Sequence, residues 1–256
     1  MIFAMLAAAA ASAGESPICA DRPSKANGAC TVPAGHIQLE TGLIDWTRDR
    51  SGDVRTDFVL WGGSFVKYGL GGSADVELGF TPLETLSVRS DAGHDSESGF
   101  GDVVVRWKKR LTDDKSPLQA AVIPFIKLPI ASHDLGNRKV EGGIAVPVTY
   151  APEGTAVTVA IGPELDLKAD ADGHGSHAAM AQLVNFGLAA TSRLTLSGEL
   201  WATWDWDSHT TSKQASADAS AAYLVTNDLQ LDAGANFGLN RQSPDIELYA
   251  GVSKRF

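Results

Sequence analysis

The sequence predicts an all-β protein, a twelve-stranded antiparallel transmembrane β-barrel, and two observations carry the prediction. Short segments in which apolar and polar residues alternate recur along most of the chain, and this period of two is typical of strands with two different faces. No segment after residue 13 reaches the run of about 18 apolar residues that a helical span needs, although 44% of the residues are hydrophobic. Membrane barrels show this combination because one strand face meets lipid and the other meets the lumen.

The N-terminus carries a segment typical of export. Residues 1–13 read MIFAMLAAAAASA, an apolar run closed by the small-residue pattern of a signal-peptide cleavage site. The run is too short to cross a bilayer as a helix. We therefore expect a signal peptide at 1–13, a periplasmic N-terminal segment at 14–34 and the transmembrane barrel at 35–256, in the bacterial outer membrane.

The two cysteines of the chain, Cys19 and Cys30, both precede the first predicted strand. Because the periplasm is oxidising, a local disulfide between them is expected. A metal site is the weaker interpretation, since two cysteines with no histidine between them supply only half of a closed zinc site.

The barrel prediction rests on twelve alternating segments. They are residues 35–46, 55–68, 73–87, 99–111, 117–131, 142–150, 155–168, 178–190, 194–207, 215–225, 229–240 and 245–256. Short connections follow the even segments and mostly longer polar ones, such as 89–98 and 169–177, follow the odd segments. Short periplasmic turns, longer external loops and an even strand number are the arrangement of outer-membrane barrels, with both termini in the periplasm. A water-soluble barrel or sandwich also alternates, but twelve strands of this length enclose more interior than small soluble barrels.

The alternation assigns most charged residues to the lumen face. The candidate lumen-lining, transport-related residues are Glu40, Asp75, Glu77, Asp102, Arg106, Lys108, Lys127, Glu164, Asp166, Glu199, Asp218, Asp232 and Glu247. Asp57 is assigned to the same face. Since acids outnumber bases there, an open pore is expected to prefer cations. The net charge of −10 argues against nucleic acid as a partner, because nucleic-acid-binding surfaces are basic.

The last segment alternates from Ile246 to Phe256 and ends on that aromatic residue. It resembles the terminal strand of bacterial outer-membrane barrels, which implies that Phe256 is part of an assembly signal. Outer-membrane lipid and the barrel assembly machinery are the partners this implies.

Prolines interrupt three consecutive predicted strands, at Pro124, Pro129, Pro147 and Pro163. Proline cannot donate a ladder hydrogen bond and normally lies at edges or bulges. Two interpretations stay open here: a set of bulges that curve the wall, or a side opening through which an apolar solute leaves the lumen.

Histidines and aspartates cluster in the predicted external loops. The best candidates for a metal site are Asp170, Asp172, His174 and His177, because imidazole and carboxylate groups bind divalent metals. Solvated loops are also rich in these residues without any metal. No cofactor is expected.

Several stretches resemble one family. They are GFGD at 99–102, PFIKLPIAS at 124–132, EGGIAVPV at 141–148, LQLDAGANFGLN at 229–240 and DIELYAGVSKRF at 245–256. They resemble the outer-membrane transporter-like proteins grouped under a meta-pathway of phenol degradation, over most of the chain after the signal peptide. The resemblance implies a barrel and brings no catalytic residues.

These observations predict an outer-membrane channel or transporter that passes or binds small solutes, and the resemblance suggests hydrophobic or aromatic ones. A plugged barrel with a structural or surface-interaction role is the alternative. An outer-membrane hydrolase is the third candidate, but no G-x-S-x-G nucleophile elbow occurs in the chain, so the protein is not expected to be an enzyme.

Overall fold

The computed structural model of the chain describes residues 16–132 and 135–256. The predicted signal peptide, residues 1–13, lies outside these ranges. Within the described part of the chain, no helix has both the length and the apolar character needed to cross a membrane.

Sixteen β-strands of the described residues make up one sheet. They are β1 Ile37–Ser51, β2 Val54–Gly71, β3 Ala74–Phe80, β4 Leu83–Ser90, β5 Gly93–Gly99, β6 Val103–Arg110, β7 Leu118–Leu128, β8 Glu141–Ala145, β9 Val148–Tyr150, β10 Val157–Ile161, β11 Glu164–Ala169, β12 Ser176–Ala189, β13 Leu194–Trp206, β14 Thr211–Thr226, β15 Leu229–Gly238 and β16 Ile246–Arg255.

The sheet closes into a barrel of twelve antiparallel strands, as predicted. Four of the twelve are interrupted and consist of two segments each, namely β3 with β4, β5 with β6, β8 with β9, and β10 with β11. Closure is made by β1, which pairs with β2 on one side and with the last strand, β16, on the other. Phe256 extends the closing pair, since its amide donates to the carbonyl of Ile37 at 2.8 Å. The part that Phe256 plays in assembly stays a prediction.

The wall around the prolines keeps its register. Ile123 pairs with Ala145 and Ala120 with Val148, so the strand runs through the break at 146–147 without an inserted residue. The proline carbonyls still accept hydrogen bonds, from Ala121 to Pro147 at 3.0 Å and from Val146 to Pro163 at 2.9 Å. A proline has no backbone N–H to donate, but its carbonyl can still accept a hydrogen bond. The neighbouring strands use these carbonyls to continue their pairing. The expectation of bulges is therefore wrong for the strands that pair across Pro124, Pro147 and Pro163, whereas the side opening stays a prediction.

The alternation of inward-facing and outward-facing residues reverses at one place, partway along β1 and β2. Gly62 has a positive φ of 70°, and the β1–β16 register shifts between Gly42 and Ile44. Beyond this point the inward and outward positions exchange. Asp57 consequently pairs with Arg48 at 2.8 Å and accepts from the indole of Trp46 at 3.1 Å on the outer side, and its assignment to the lumen was wrong.

Polarity is inverted relative to a soluble protein. The largest fully buried side chains include Lys67, Lys108 and Glu77, whereas Trp107, Leu165 and Phe186 are among many large apolar residues exposed on the outside. A barrel in lipid requires this distribution, because its outer face meets hydrocarbon.

The predicted long loop at 89–98 is mostly strand. β4 and β5 form a hairpin that turns at 91–92, with Arg89 opposite His94 and Val88 opposite Asp95. Both faces of this hairpin meet water beyond the membrane, so both carry polar residues. The alternation of apolar and polar residues that predicts a strand is therefore missing from it.

Candidate functional site

Residues 16–34, named the plug below, fold into the end of the barrel that holds both chain termini. The plug amide of Ile18 donates to the carbonyl of Asn227 at 2.6 Å, and that of Val32 donates to the carboxylate of Asp75 at 2.8 Å. A disulfide joins Cys19 to Cys30 within it. The sequence had placed this segment in the periplasm, before the barrel. The structure places its described residues inside the lumen, because the lumen-facing acids offer partners for its amides and cations.

Asp21 is the one acidic residue of the plug and bridges two buried lysines. Its carboxylate lies 2.5 Å from Lys67 Nζ and 2.9 Å from Lys108 Nζ. Lys67 also contacts Glu40 at 2.6 Å, and Lys108 contacts Glu77 at 3.3 Å. Asp21 therefore completes a buried network in which each ammonium group has more than one carboxylate partner.

The charge state of Asp21 follows from this network. Burial alone would raise the pKa of the Asp21 carboxyl, but the ammonium groups of Lys108 and Lys67 outweigh it and hold that pKa well below its usual range. A carboxylate with a lowered pKa contributes its stability above the unfolded pKa of about 3.9, and loses it as the pH falls through the folded pKa. This anchor is thus complete at neutral pH and weakens only in strong acid.

Arg22 anchors the plug to the opposite wall. Its guanidinium contacts Asp232 at 2.9 Å. A side chain at Gly251 would collide with this guanidinium, and one at Gly42 would lie 3.1 Å from it. The two glycines on the adjoining strands β1 and β16 therefore provide the space in which Arg22 lies.

Lys25 binds the plug to strands β13, β14 and β16, beside the contact of Arg22 on β15. Its ammonium group contacts Asp218 at 3.1 Å and Glu247 at 3.8 Å. The amides of Lys25 and Ala26 each donate to Glu199 at 3.2 Å. The plug is thus held at several points around the barrel rather than along one strand.

The predicted lumen residues divide into two groups by what they contact. The group beneath or beside the plug, which contacts it directly or through Lys67 and Lys108, is Glu40, Asp75, Glu77, Lys108, Glu199, Asp218, Asp232 and Glu247. The group nearer the external end is Asp102, Lys127, Glu164 and Asp166, of which Lys127 contacts Asp102 at 3.1 Å. Arg106 belongs to both groups, because its guanidinium donates to the side-chain oxygen of plug residue Asn27 at 3.3 Å and also lines the chamber described below. Much of the acidic excess on this face therefore binds the plug.

A chamber of about 500 Å³ lies against the plug, on its inner side. The plug supplies Arg22 and Lys25 to its floor. Its wall includes Phe65, Phe80 and Trp201. The volume lies within the range of small-molecule sites, which are mostly apolar with a few placed polar groups.

Cations accompany the aromatic rings of this chamber. The guanidinium of Arg106 lies 4.1 Å from the centre of the Phe65 ring, and Lys25 Nζ lies 5.2 Å from that of Trp201. Gly79 makes room for the Phe65 ring, because a side chain there would collide with it. The chamber thus combines ring surfaces with charged groups that can donate hydrogen bonds.

The candidate metal residues separate in the structure. Asp170 and His177 come together, with His177 Nδ1 2.8 Å from Asp170 Oδ1. Asp172 instead pairs with His209 at 2.9 Å, and the contact of His174 with Asp172 is through its backbone amide.

Sequence reasoning missed the plug residues and the aromatic residues of the chamber. A signal was present, because a disulfide-closed segment containing Arg22 and Lys25 precedes a barrel whose lumen face is acidic. The complementary charge pointed to a segment that could enter the barrel.

Fold and site together define a class, the outer-membrane β-barrel whose lumen holds its own N-terminal segment. The chain belongs to the family described as "Putative MetA-pathway of phenol degradation", whose model matches residues 20–256. It is similar in structure to the COG4313 outer membrane channel from Pseudomonas putida F1, at 13% identity, with 91% of this chain and 100% of that chain covered and a TM-score of 0.72. The chain is thus a bacterial outer-membrane barrel.

Other solved barrels align more loosely. The translocator domain of the autotransporter NalP from Neisseria meningitidis has 16% identity, with 88% of this chain and 90% of that chain covered and a TM-score of 0.43. OccK11 (OpdR) from Pseudomonas aeruginosa has 8% identity, with 90% and 99% covered and a TM-score of 0.39. No curated protein matches significantly.

Proposed function

We propose that the protein is a plugged outer-membrane channel for small aromatic solutes. The solute binds in the chamber, and movement of the plug opens the periplasmic end. The observation that carries this proposal is the chamber itself, a cavity of about 500 Å³ with Phe65, Phe80 and Trp201 in its wall and plug residues in its floor.

The chemistry of the chamber suits a ring with one polar substituent. Aromatic side chains favour ring surfaces in offset or edge-to-face arrangements, worth about 0.5–1.5 kcal/mol for a pair beyond the area they bury. Asp102, Arg106 and Glu164 also line the chamber and offer partners for a hydroxyl group. A phenol satisfies both requirements, and the family description supports this solute class.

The predicted lumen residues then have two roles. We assign contact with the solute to Asp102, Arg106 and Glu164, and assign retention of the plug to the acids that contact it. The role is non-enzymatic and needs no cofactor. While the plug is in place, fewer acids are free than the sequence suggested. The cation preference of the open pore therefore depends on how many of these acids the plug releases when it moves.

A structural, permanently plugged barrel is the second candidate, and the number of anchors on the plug favours it. The two functions differ in one respect. A permanently closed barrel neither binds a solute in its chamber nor conducts when its plug is loosened.

Equilibrium binding of phenol to the full chain tests the proposal. Replacing Trp201 with alanine removes one ring from the chamber wall, and the loss of an aromatic contact of about 0.5–1.5 kcal/mol should weaken phenol binding roughly threefold to tenfold. Calorimetry on folded, heat-modifiable protein measures this.

Trp206→Ala is the matched control. Trp206 lies on the same strand, β13, but is exposed at 46% and does not line the chamber, so its loss should leave phenol binding unchanged. Absence of phenol binding by the native chain, or equal losses in the two variants, would contradict the proposal.

A further inference from the structure

Three carboxylates surround a single imidazole at the external end of the barrel, where the loop between β11 and β12 meets the end of β13. His177 Nδ1 lies 2.8 Å from Asp170 Oδ1 and 3.7 Å from Asp207 Oδ2. Its Nε2 lies 2.7 Å from Asp205 Oδ1. Ligand atoms of Asp170, His177 and Asp207 all fall within 4.8 Å of one another.

The imidazole is built into the wall. The His177 side chain is 8% exposed and that of Asp207 is also 8% exposed. His177 Nε2 is buried without a hydrogen bond of good geometry, despite its closeness to Asp205. This burial distinguishes His177 and Asp207 from the neighbouring loop residues His209 and Asp172, whose side chains are 57% and 41% exposed.

The charges of the group do not balance. Asp170, Asp205 and Asp207 bring three carboxylates together, and Lys168 Nζ, 3.2 Å from Asp205, offsets one of them. Even a protonated His177 leaves an excess of negative charge. A buried excess of this sign favours a bound cation.

We propose that Asp170, His177 and Asp207 bind one divalent transition-metal ion, such as Zn²⁺, at the external mouth. His177 binds it through Nδ1, and each aspartate contributes one carboxylate oxygen. An imidazole ligand favours this class over Ca²⁺, which takes about six to eight oxygen ligands. Water occupies the remaining coordination positions.

The surroundings suit such a site. With the metal on Nδ1, the Nε2 proton of His177 faces Asp205, and a carboxylate at the second nitrogen of a metal-bound histidine fixes its orientation and tautomer. Asp207 is held in place by amides, since Oδ2 accepts from Ala171 at 2.7 Å and Oδ1 from His209 at 2.7 Å. The ion would tie the loop at 170–175 to the loop at 207–210.

Titration of the metal-stripped full chain with ZnCl₂ by calorimetry tests the site. We expect one ion per chain, no comparable binding of Ca²⁺, and affinity at least about tenfold weaker in His177→Ala and in Asp207→Asn, since loss of a ligand commonly exceeds the effect of about 10-fold to 100-fold seen for outer-shell partners. Heat-modifiable migration verifies that each variant is folded.

Asp172→Asn is the matched control, because Asp172 lies in the same loop but pairs with the exposed His209. Its Zn²⁺ affinity should equal that of the native chain. No binding by the native chain, unchanged affinity in Asp207→Asn, or an equal loss in Asp172→Asn would overturn the proposal. A cobalt titration that gives a visible absorption band in the native chain and none in His177→Ala would support the imidazole as a ligand.

Discussion

Replacing both Asp21 and Arg22 with alanine should turn a closed barrel into a conducting channel. The double variant removes the carboxylate shared by Lys67 and Lys108 and the cation that pairs with Asp232. Breaking a buried pair by removing one partner costs about 3–5 kcal/mol. In the double variant, Lys67, Lys108 and Asp232 have lost their partners on the plug. Water can hydrate these wall charges only when the plug leaves the lumen, so the variant favours the open state.

The expected effect is large because the full cost of breaking the buried pairs shifts a single equilibrium, that between the closed and the open channel. Since about 1.4 kcal/mol is a factor of ten, the ratio of closed to open channels should fall at least about 100-fold. Conductance in planar bilayers measures this ratio directly.

A matched pair of charges serves as the control for this experiment. Asp113 and Lys115 lie exposed in the turn between β6 and β7, and the double variant Asp113→Ala/Lys115→Ala changes one acid and one base without touching the plug. It should conduct like the native chain. Equal conductance of the two double variants would show that the plug contacts do not close the barrel.

Reduction of the Cys19–Cys30 disulfide should produce the second-largest effect. The disulfide closes a loop with a sequence separation of 11, and a cross-link of about this span limits the freedom of the displaced segment by about 3 kcal/mol in the chain-entropy model. A reduced plug gains more conformational freedom when it leaves the lumen. We therefore expect a rise in open probability of up to about 100-fold on adding a reductant.

The double variant Cys19→Ser/Cys30→Ser provides the control for the reductant itself. It should conduct like the reduced native chain and respond no further. Mass spectrometry shows whether the reductant has freed both thiols of the native chain. If it has and the conductance is unchanged, the disulfide has no part in closure.

The barrel was predictable because lipid and water impose opposite demands on successive residues. β3, with Val76 and Leu78 outward and Asp75 and Glu77 inward, follows the predicted alternation. The alternation fails where the backbone departs from a regular strand. Gly62 adopts a positive φ, and no period-two pattern shows which glycine will do so.

The individual contacts that hold the plug could not be predicted from local patterns, although its charge complements that of the lumen face. Arg22 and Asp232 are 210 residues apart, and nothing in the composition of either segment specifies that pair. The acids that contact the plug share one face of the wall, but a charge pattern does not distinguish a surface that meets a solute from one that binds another part of the chain.

The metal candidates illustrate the same limit. Asp170 and His177 lie near each other in sequence and meet in the structure, whereas Asp205 and Asp207 come from β13 and its following loop. Pairing of β12 with β13 brings them together, since Ala179 lies opposite Asp205. Sequence proximity also favoured Asp172 and His174, but Asp172 pairs with His209 in the structure.

The central claim is that residues 16–34 lie inside the lumen and are held there by the wall. Hydrogen–deuterium exchange of the full chain in lipid nanodiscs tests this placement. Hydrogen-bonded amides exchange only when a segment opens. Three plug amides donate to the wall, namely Ile18 to Asn227, Lys25 to Glu199 and Val32 to Asp75. We expect peptides from the plug to take up deuterium far more slowly than the same peptides in urea-unfolded protein, while the exposed turn at 112–116 exchanges at nearly the unfolded rate. Plug peptides that exchange as fast as the unfolded protein at the earliest time point would contradict it.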